Sequence, residues 1–153
     1  MIVGAKIMCI LSLIPLRAED KDQSEIVSQL LFGEVATILE RRDNWLKIAV
    51  HHDSYEGWID RKQVINIDEG EFDRIALIKS RQSEKELKLN TPWGLISVYQ
   101  GAPILSKDTS FSIGNKSYSW LEKLPSAAEE SIAKTALTYF NAPYLWGGRT
   151  QYG

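Results

Sequence analysis

Cysteine occurs once in the 153 residues, at Cys9, and histidine only twice, at His51 and His52. A single thiol permits no intrachain disulfide and no cysteine-rich metal site, and it leaves the redox compartment open. Neither sign of charge prevails: 18 basic residues stand against 20 acidic ones, interspersed along the chain, for a net charge of −2. A nucleic-acid or membrane-surface binder needs a clustered basic face, so neither class of partner is expected. Long hydrophobic runs are also missing. Ile7-Met-Cys-Ile-Leu-Ser-Leu-Ile-Pro-Leu16, behind Lys6, superficially resembles a leader. It is too short to span a bilayer and lacks a clear small-x-small cleavage site, so it reads as a buried strand ended by its proline. What remains is a globular composition, 44% hydrophobic and 25% charged, enough for one ordinary domain or two small ones.

The first two-thirds of the chain has the pattern of short strands and tight turns. A strand is expected at 6–14, a second at Glu25–Phe32 before a turn at Gly33, and a third at Val35–Glu40. Trp45–Val50 alternates with period two, which puts Trp45, Lys47 and Ala49 on one face. His51–Gly57 reads as a hairpin loop and Trp58–Asp60 as a brief strand. Five short strands in about sixty residues predict a small barrel that closes to hide its edges. A polar boundary at Asp68-Glu-Gly-Glu71 precedes a second β-rich stretch from about 72 to 122. Within it Arg74–Lys79 and Leu95–Tyr99 are strand-like, and Phe111–Tyr118 is a hairpin with Gly114-Asn115 at its tip. The period then changes. Ser126 and Glu129 form a capping box, and Ile132, Ala136, Leu137 and Phe140 make an apolar face, predicting a helix over 127–140 that Pro143 stops.

Few residues have the setting that chemistry demands. A nucleophilic cysteine needs a lowered pKa, from a helix N-terminus or a neighbouring histidine. Cys9 stands between Met8 and Ile10 in an apolar strand and is read as a small buried hydrophobe. His51 and His52 are adjacent, so an extended chain turns them to opposite faces, a poor arrangement for one metal ion; an exposed hairpin is expected. The densest constellation is the last: Pro143-Tyr-Leu-Trp-Gly-Gly-Arg-Thr-Gln-Tyr-Gly153, an aromatic pair followed by paired glycines.

Two resemblances attach to these motifs. Leu16-Arg17-Ala18, Leu31-Phe32-Gly33-Glu34, Asn44-Trp45-Leu46-Lys47-Ile48 and Gly57-Trp58-Ile59 resemble, in order, the landmarks of a bacterial SH3 (SH3b) domain. Glu19 departs from that pattern, where many members have glycine. The run from Pro143 to Gly148 resembles the Pro-Tyr-x-Trp-Gly-Gly that precedes Asp-Cys-Ser-Gly, with its nucleophilic cysteine, in NlpC/P60 cysteine peptidases. The resemblances imply a mainly β chain of two small SH3-like barrels followed by the first helix of an α+β papain-like domain. Their spans would be 1–68 for the first SH3b-like domain, 69–124 for a diverged second, and 125–153 for the opening of the catalytic domain.

They also imply the front part of a cell-wall peptide hydrolase that cleaves γ-D-Glu-diamino acid bonds by thiolate attack, acyl-enzyme formation and hydrolysis. Tyr144 is implied as the oxyanion donor and site wall, with the nucleophile outside these residues; its alternative is a core aromatic beside a tight turn. Trp146 is expected to pack beneath the site and contribute to substrate binding. Tyr55, in the loop before Gly57-Trp58, is implied as a second substrate-binding residue, flanked by Asp53 and Glu56, which could engage a free amino group. Gly147 and Gly148 are geometric rather than chemical. The implied partner is the stem peptide L-Ala-γ-D-Glu-diamino acid, with a monomer and no metal or organic cofactor. The implied compartment is the cytoplasm, with the cell envelope as the alternative. A competing possibility from another class is a non-catalytic SH3b module that binds peptidoglycan or peptide. Residues after 143 are expected to be poorly fixed, their packing surface being absent.

Overall fold

The structure, a computed structural model, describes residues 1–78, 86–124 and 136–153. Two antiparallel sheets account for its architecture. The first comprises β1 (Lys6–Cys9), β2 (Leu13–Arg17), β3 (Ile26–Leu31), β4 (Val35–Arg42), β5 (Trp45–Val50), β6 (Glu56–Asp60) and β7 (Val64–Ile67). Its strand order is β3-β2-β6-β5-β4-β1-β7. A helix, α1 (Glu69–Ala76), leads to the second sheet, built from β8 (Leu87–Thr91), β9 (Gly94–Val98), β10 (Ser110–Ile113) and β11 (Lys116–Trp120) in the order β10-β11-β8-β9.

The apolar run after Lys6 is two strands, not the single one expected over 6–14. β1 pairs with β4 and β7, while β2 crosses to pair with β3 and, at Arg17–Trp58 alone, with β6. Pro15 therefore lies within a strand, where the flank towards β6 has almost no ladder to interrupt. β1 is apolar throughout its buried part because both faces are covered. Ile7 and Cys9 enter a core enclosed by the first sheet, with Leu16, Leu30, Leu46 and Ile48. Met8, between them in sequence, points into a second core. The period-two reading of β5 holds: Leu46, Ile48 and Val50 are buried and Trp45, Lys47 and Ala49 are not fully so.

Gly57 shows why the Gly-Trp landmark is required. A Cβ there would stand 2.5 Å from Leu16 Cγ and 3.0 Å from the Arg17 carbonyl, at the narrow crossing of β6 and β2. Five strands were expected in this half and seven are present, the difference being the split at Ile10–Ser12 and the addition of β7.

The strand expected at Arg74–Lys79 is instead the end of α1, with Lys79 itself outside the described residues. The supposed polar boundary is the helix start: the Asp68 carboxylate accepts from the Glu71 N–H at 2.8 Å, and Glu69 and Glu71 occupy the positive end of the dipole. Phe72 and Ile75, three apart, bury one face. That face joins the second core, which Met8, Leu31 and Phe32 share with Leu87, Val98, Tyr118 and Trp120 of the second sheet. The hairpin over Phe111–Tyr118 forms as expected, Phe111 opposite Tyr118 with their rings stacked at 5.3 Å. Most of the helix expected over 127–140, including Ser126, Glu129 and Ile132, lies outside the described residues; Ala136 and Leu137 are helical and a turn follows.

Candidate functional site

The segment from Pro143 to Gly153 lies along β3, an outer strand of the first sheet, and its position follows from two residues. Gly147 has φ +75°, and a Cβ there would come within 2.8 Å of the Ile26 carbonyl oxygen and of the Val27 carbonyl carbon. Only glycine allows the chain to press this close to the β3 backbone. Two residues on, the Arg149 backbone N–H donates to Gln29 Oε1 at 2.9 Å and its Nη1 donates to the Gln29 carbonyl at 2.6 Å. The same guanidinium forms a two-pronged pair with Glu34, Nη1 to Oε2 at 2.7 Å and Nη2 to Oε1 at 2.8 Å. The packing surface expected to be absent is thus supplied by β3, and Thr150 and Gly153 are buried.

Glu34 is the hub of this corner. Its side chain is 2% exposed, and Oε2 also accepts from the Leu31 N–H at 3.0 Å. His52 of the β5–β6 hairpin stands with Nδ1 3.6 Å from Glu34 Oε1 and Nε2 3.2 Å from Asp53 Oδ2. Burial alone would push the Arg149 guanidinium down, but hydrogen bonds and charge from Glu34, with Asp53 beyond, hold it above its ordinary value. Tail, hairpin and β3–β4 turn therefore meet at one carboxylate. A cavity of about 300 Å³ opens beside it, with Glu34, His51 and His52 on the polar side and Val35, Ile75 and Pro103 on the apolar side.

A second anchor holds the end of the segment to the other sheet. The Tyr152 hydroxyl donates to Glu86 Oε2 at 3.1 Å, and its ring lies 5.5 Å from that of Tyr99. Glu86 also pairs with Lys88 and accepts from Ser97; Lys88 first, then Ser97, hold its carboxyl below the usual range.

Of the residues singled out by sequence, Tyr144 is 84% exposed. Trp146, expected to pack beneath the site, is 61% exposed in this chain. Tyr55 is 46% exposed on the hairpin, its N–H donating to Asp53 Oδ1 at 3.0 Å. Among the described residues no hydrogen bond or ring contact joins Tyr55 to Tyr144 or Trp146; what draws their segments together is the Glu34 cluster. Asp53 and Glu56 are engaged, by His52 and by Lys47 at 2.8 Å. Cys9 is fully buried, its thiol directed at the Leu11 and Leu30 carbonyls, and burial pushes its pKa far above the ordinary value. Glu34 was read only as part of an SH3b landmark and Arg149 only as part of the terminal run, neither as a site residue, and Gln29 was not singled out by sequence. Their available signals were a glutamate directly after the Gly33 turn and an arginine directly after paired glycines.

The model of the bacterial dipeptidyl-peptidase SH3 domain matches residues 16–64, which include β2 to β6, the hairpin and Glu34. These residues are a bacterial SH3 domain. Arg149 and Gly147 therefore dock on the SH3 domain itself. The chain is also homologous to curated peptidases. It is 24% identical over 162 residues to the gamma-D-glutamyl-L-lysine dipeptidyl-peptidase of Bacillus cereus, and 26% identical over 177 residues to dipeptidyl-peptidase 6 of Lysinibacillus sphaericus. These alignments take in 85% and 90% of this chain but 47% and 60% of the relatives, so the chain spans about half the length of the first and three-fifths of the second. A crystal structure of an NlpC/P60 family protein from Bacillus cereus shares the fold, with a TM-score of 0.68 over 97% of this chain and 68% of that one, at 16% identity. The matched SH3 model is thus that of bacterial dipeptidyl-peptidases, and no helix among the described residues is long and apolar enough to cross a membrane.

Proposed function

We propose that this chain is the substrate-shaping portion of a cell-wall peptide hydrolase that cleaves the bond between γ-D-Glu and the following diamino acid. One observation supports the reading: Glu34 of a dipeptidyl-peptidase-type SH3 domain pairs with Arg149, in the segment that contains Tyr144 and Trp146, and lies 3.6 Å from His52, in the hairpin that contains Tyr55. In this reading residues 1–68 and 69–124 are SH3b-like units and 125–153 opens the catalytic domain of a monomer. Tyr144 donates its phenolic hydroxyl to the developing oxyanion. Tyr55 and Trp146 flank the peptide L-Ala-γ-D-Glu-diamino acid, exposed aromatic faces being suited to its aliphatic stems. The nucleophile is a cysteine other than Cys9, whose burial excludes attack on any peptide.

A second reading draws on the same buried thiol. With Cys9 enclosed and both histidines on a hairpin, the described residues contain no Cys–His pair, as suits a module that binds peptide without cleaving it. Titration calorimetry with L-Ala-γ-D-Glu-L-Lys tests the common core of both. Saturable binding, weakened roughly tenfold by Tyr55→Ala and by Trp146→Ala, is expected, as for truncation of an aromatic contact. Absence of binding, or binding indifferent to both substitutions, overturns the placement of the site. Asp-Cys-Ser-Gly encoded downstream of Gly153 separates the hydrolase from the binder.

A further inference from the structure

We propose that Glu34 and Arg149 are positioning residues: a clamp that fixes the backbone from which Tyr144 and Trp146 project. Exposed aromatic side chains cannot hold themselves in place, because their burial contributes little to the fold; Tyr144 and Trp146 are 84% and 61% exposed. Their orientation must come from the backbone on either side. The last residues of the segment supply it through contacts of high directionality. A guanidinium fork on a carboxylate admits one relative geometry, two parallel bonds at 2.7 and 2.8 Å. Gln29 adds both its side-chain and its backbone carbonyl to the same arginine, and Gln29 is 4% exposed. Gly147 sets the depth at which the chain meets β3. The Tyr152–Glu86 bond then fixes the far end on the second sheet.

The arrangement is also costly to abandon. Glu34 is nearly inaccessible to water and Arg149 only 25% exposed, so separating them strands a buried charge rather than returning both to solvent. A surface ion pair would give no such constraint. The clamp joins residues 115 positions apart, and His52 of the hairpin that carries Tyr55 stands 3.6 Å from the same carboxylate. That Tyr144 and Trp146 serve a peptide rests on the reading above; the clamp does not.

Amide hydrogen exchange on the full chain tests it. In the wild type the Arg149 and Gly148 amides, bonded to Gln29 and to the Leu145 carbonyl, are expected to exchange slowly. Glu34→Gln and Arg149→Gln are each expected to speed exchange over 147–153 by roughly tenfold or more, the scale of a lost charge-assisted bond. Amides of β5 and β6 should keep their protection, and Arg149→Lys, which keeps the charge but not the fork, should fall between. Unchanged exchange in both variants overturns the clamp. So does a uniform rise that includes β5 and β6, which would make Glu34 a determinant of the whole sheet. Titration of the wild type with L-Ala-γ-D-Glu-L-Lys, run alongside, separates the two ideas: local release of the tail in the variants, together with a wild type that binds no peptide, supports the clamp and removes only the substrate.

Discussion

Tyr118 occupies an unusual position among the buried residues. Its ring is packed against Phe111 and Phe32 and is 2% exposed, yet its hydroxyl is buried without a hydrogen-bond partner among the described residues. A buried donor left unpaired is a cost the fold carries. Tyr118→Phe keeps the ring and removes the hydroxyl, so thermal unfolding should show the variant stabilised by about 1 kcal/mol; a loss of stability would mean that the hydroxyl is satisfied by water. The same burial pushes the phenol up to about 12. In the unfolded chain the group titrates near its ordinary value of about 10. Between those values the folded chain holds a proton that the unfolded chain has released, so this contribution is intact below pH ~10 and is lost as the pH rises from there through about 12. Tyr118→Phe should therefore flatten the alkaline fall in stability relative to wild type. Nothing in the sequence marks this residue: Tyr118 and Phe111 read only as a hairpin pair. Cys9, by contrast, was legible, because its apolar neighbours dictate the environment that decides its chemistry.

Elements were readable where a local pattern is also the global one. The alternation of Trp45–Val50 survives because one face meets the core, whereas the run Ile75-Ala-Leu-Ile78 is β-compatible by composition yet is governed by the Asp68 cap seven positions upstream. The split of the first apolar run was hidden because β1 is buried on both faces, so its apolar run joins that of β2 with no polar break but Ser12. The terminal segment shows the opposite limit. Its motif was plain, but the partner of Arg149 lies 115 residues away, and no spacing rule spans that distance. Gly147 is the point at which this element is most vulnerable. An alanine there would be strained at φ +75° and would meet the Ile26 carbonyl at 2.8 Å. In Gly147→Ala, chymotryptic cleavage after Tyr144 or Trp146 should accelerate severalfold while the melting temperature of the sheets stays within about 2 °C, the scale of a local change. Equal cleavage rates would show that the close approach is dispensable.

At the scale of the molecule the two sheets share one core, for a reason that lies in β1 and the β3–β4 turn. Met8, Leu31 and Phe32 belong to the first sheet by hydrogen bonding but to the second by packing, and α1 fills the same core with Phe72 and Ile75. Further links cross the junction: the Ser97 N–H donates to the Ser12 hydroxyl at 3.2 Å, and Arg74 Nη1 donates to the Leu105 carbonyl at 3.1 Å. A four-stranded sheet with one buried face has little stability of its own, so it should persist only while that shared core does. Phe32 is the test, since it is fully buried and its ring lies 6.0 Å from Tyr118 of β11. Phe32→Ala should cost about 3–5 kcal/mol, the range for truncating a buried phenylalanine. The decisive measurement is urea unfolding followed separately by an indole in each sheet, Trp58 in the first and Trp120 in the second. Both midpoints should fall together in the variant. A first sheet that holds its midpoint while the second melts would mean that the sheets fold independently. The Glu34 clamp, which reaches both through the Arg149 and Tyr152 anchors, would then be spanning a hinge rather than fastening a rigid wall.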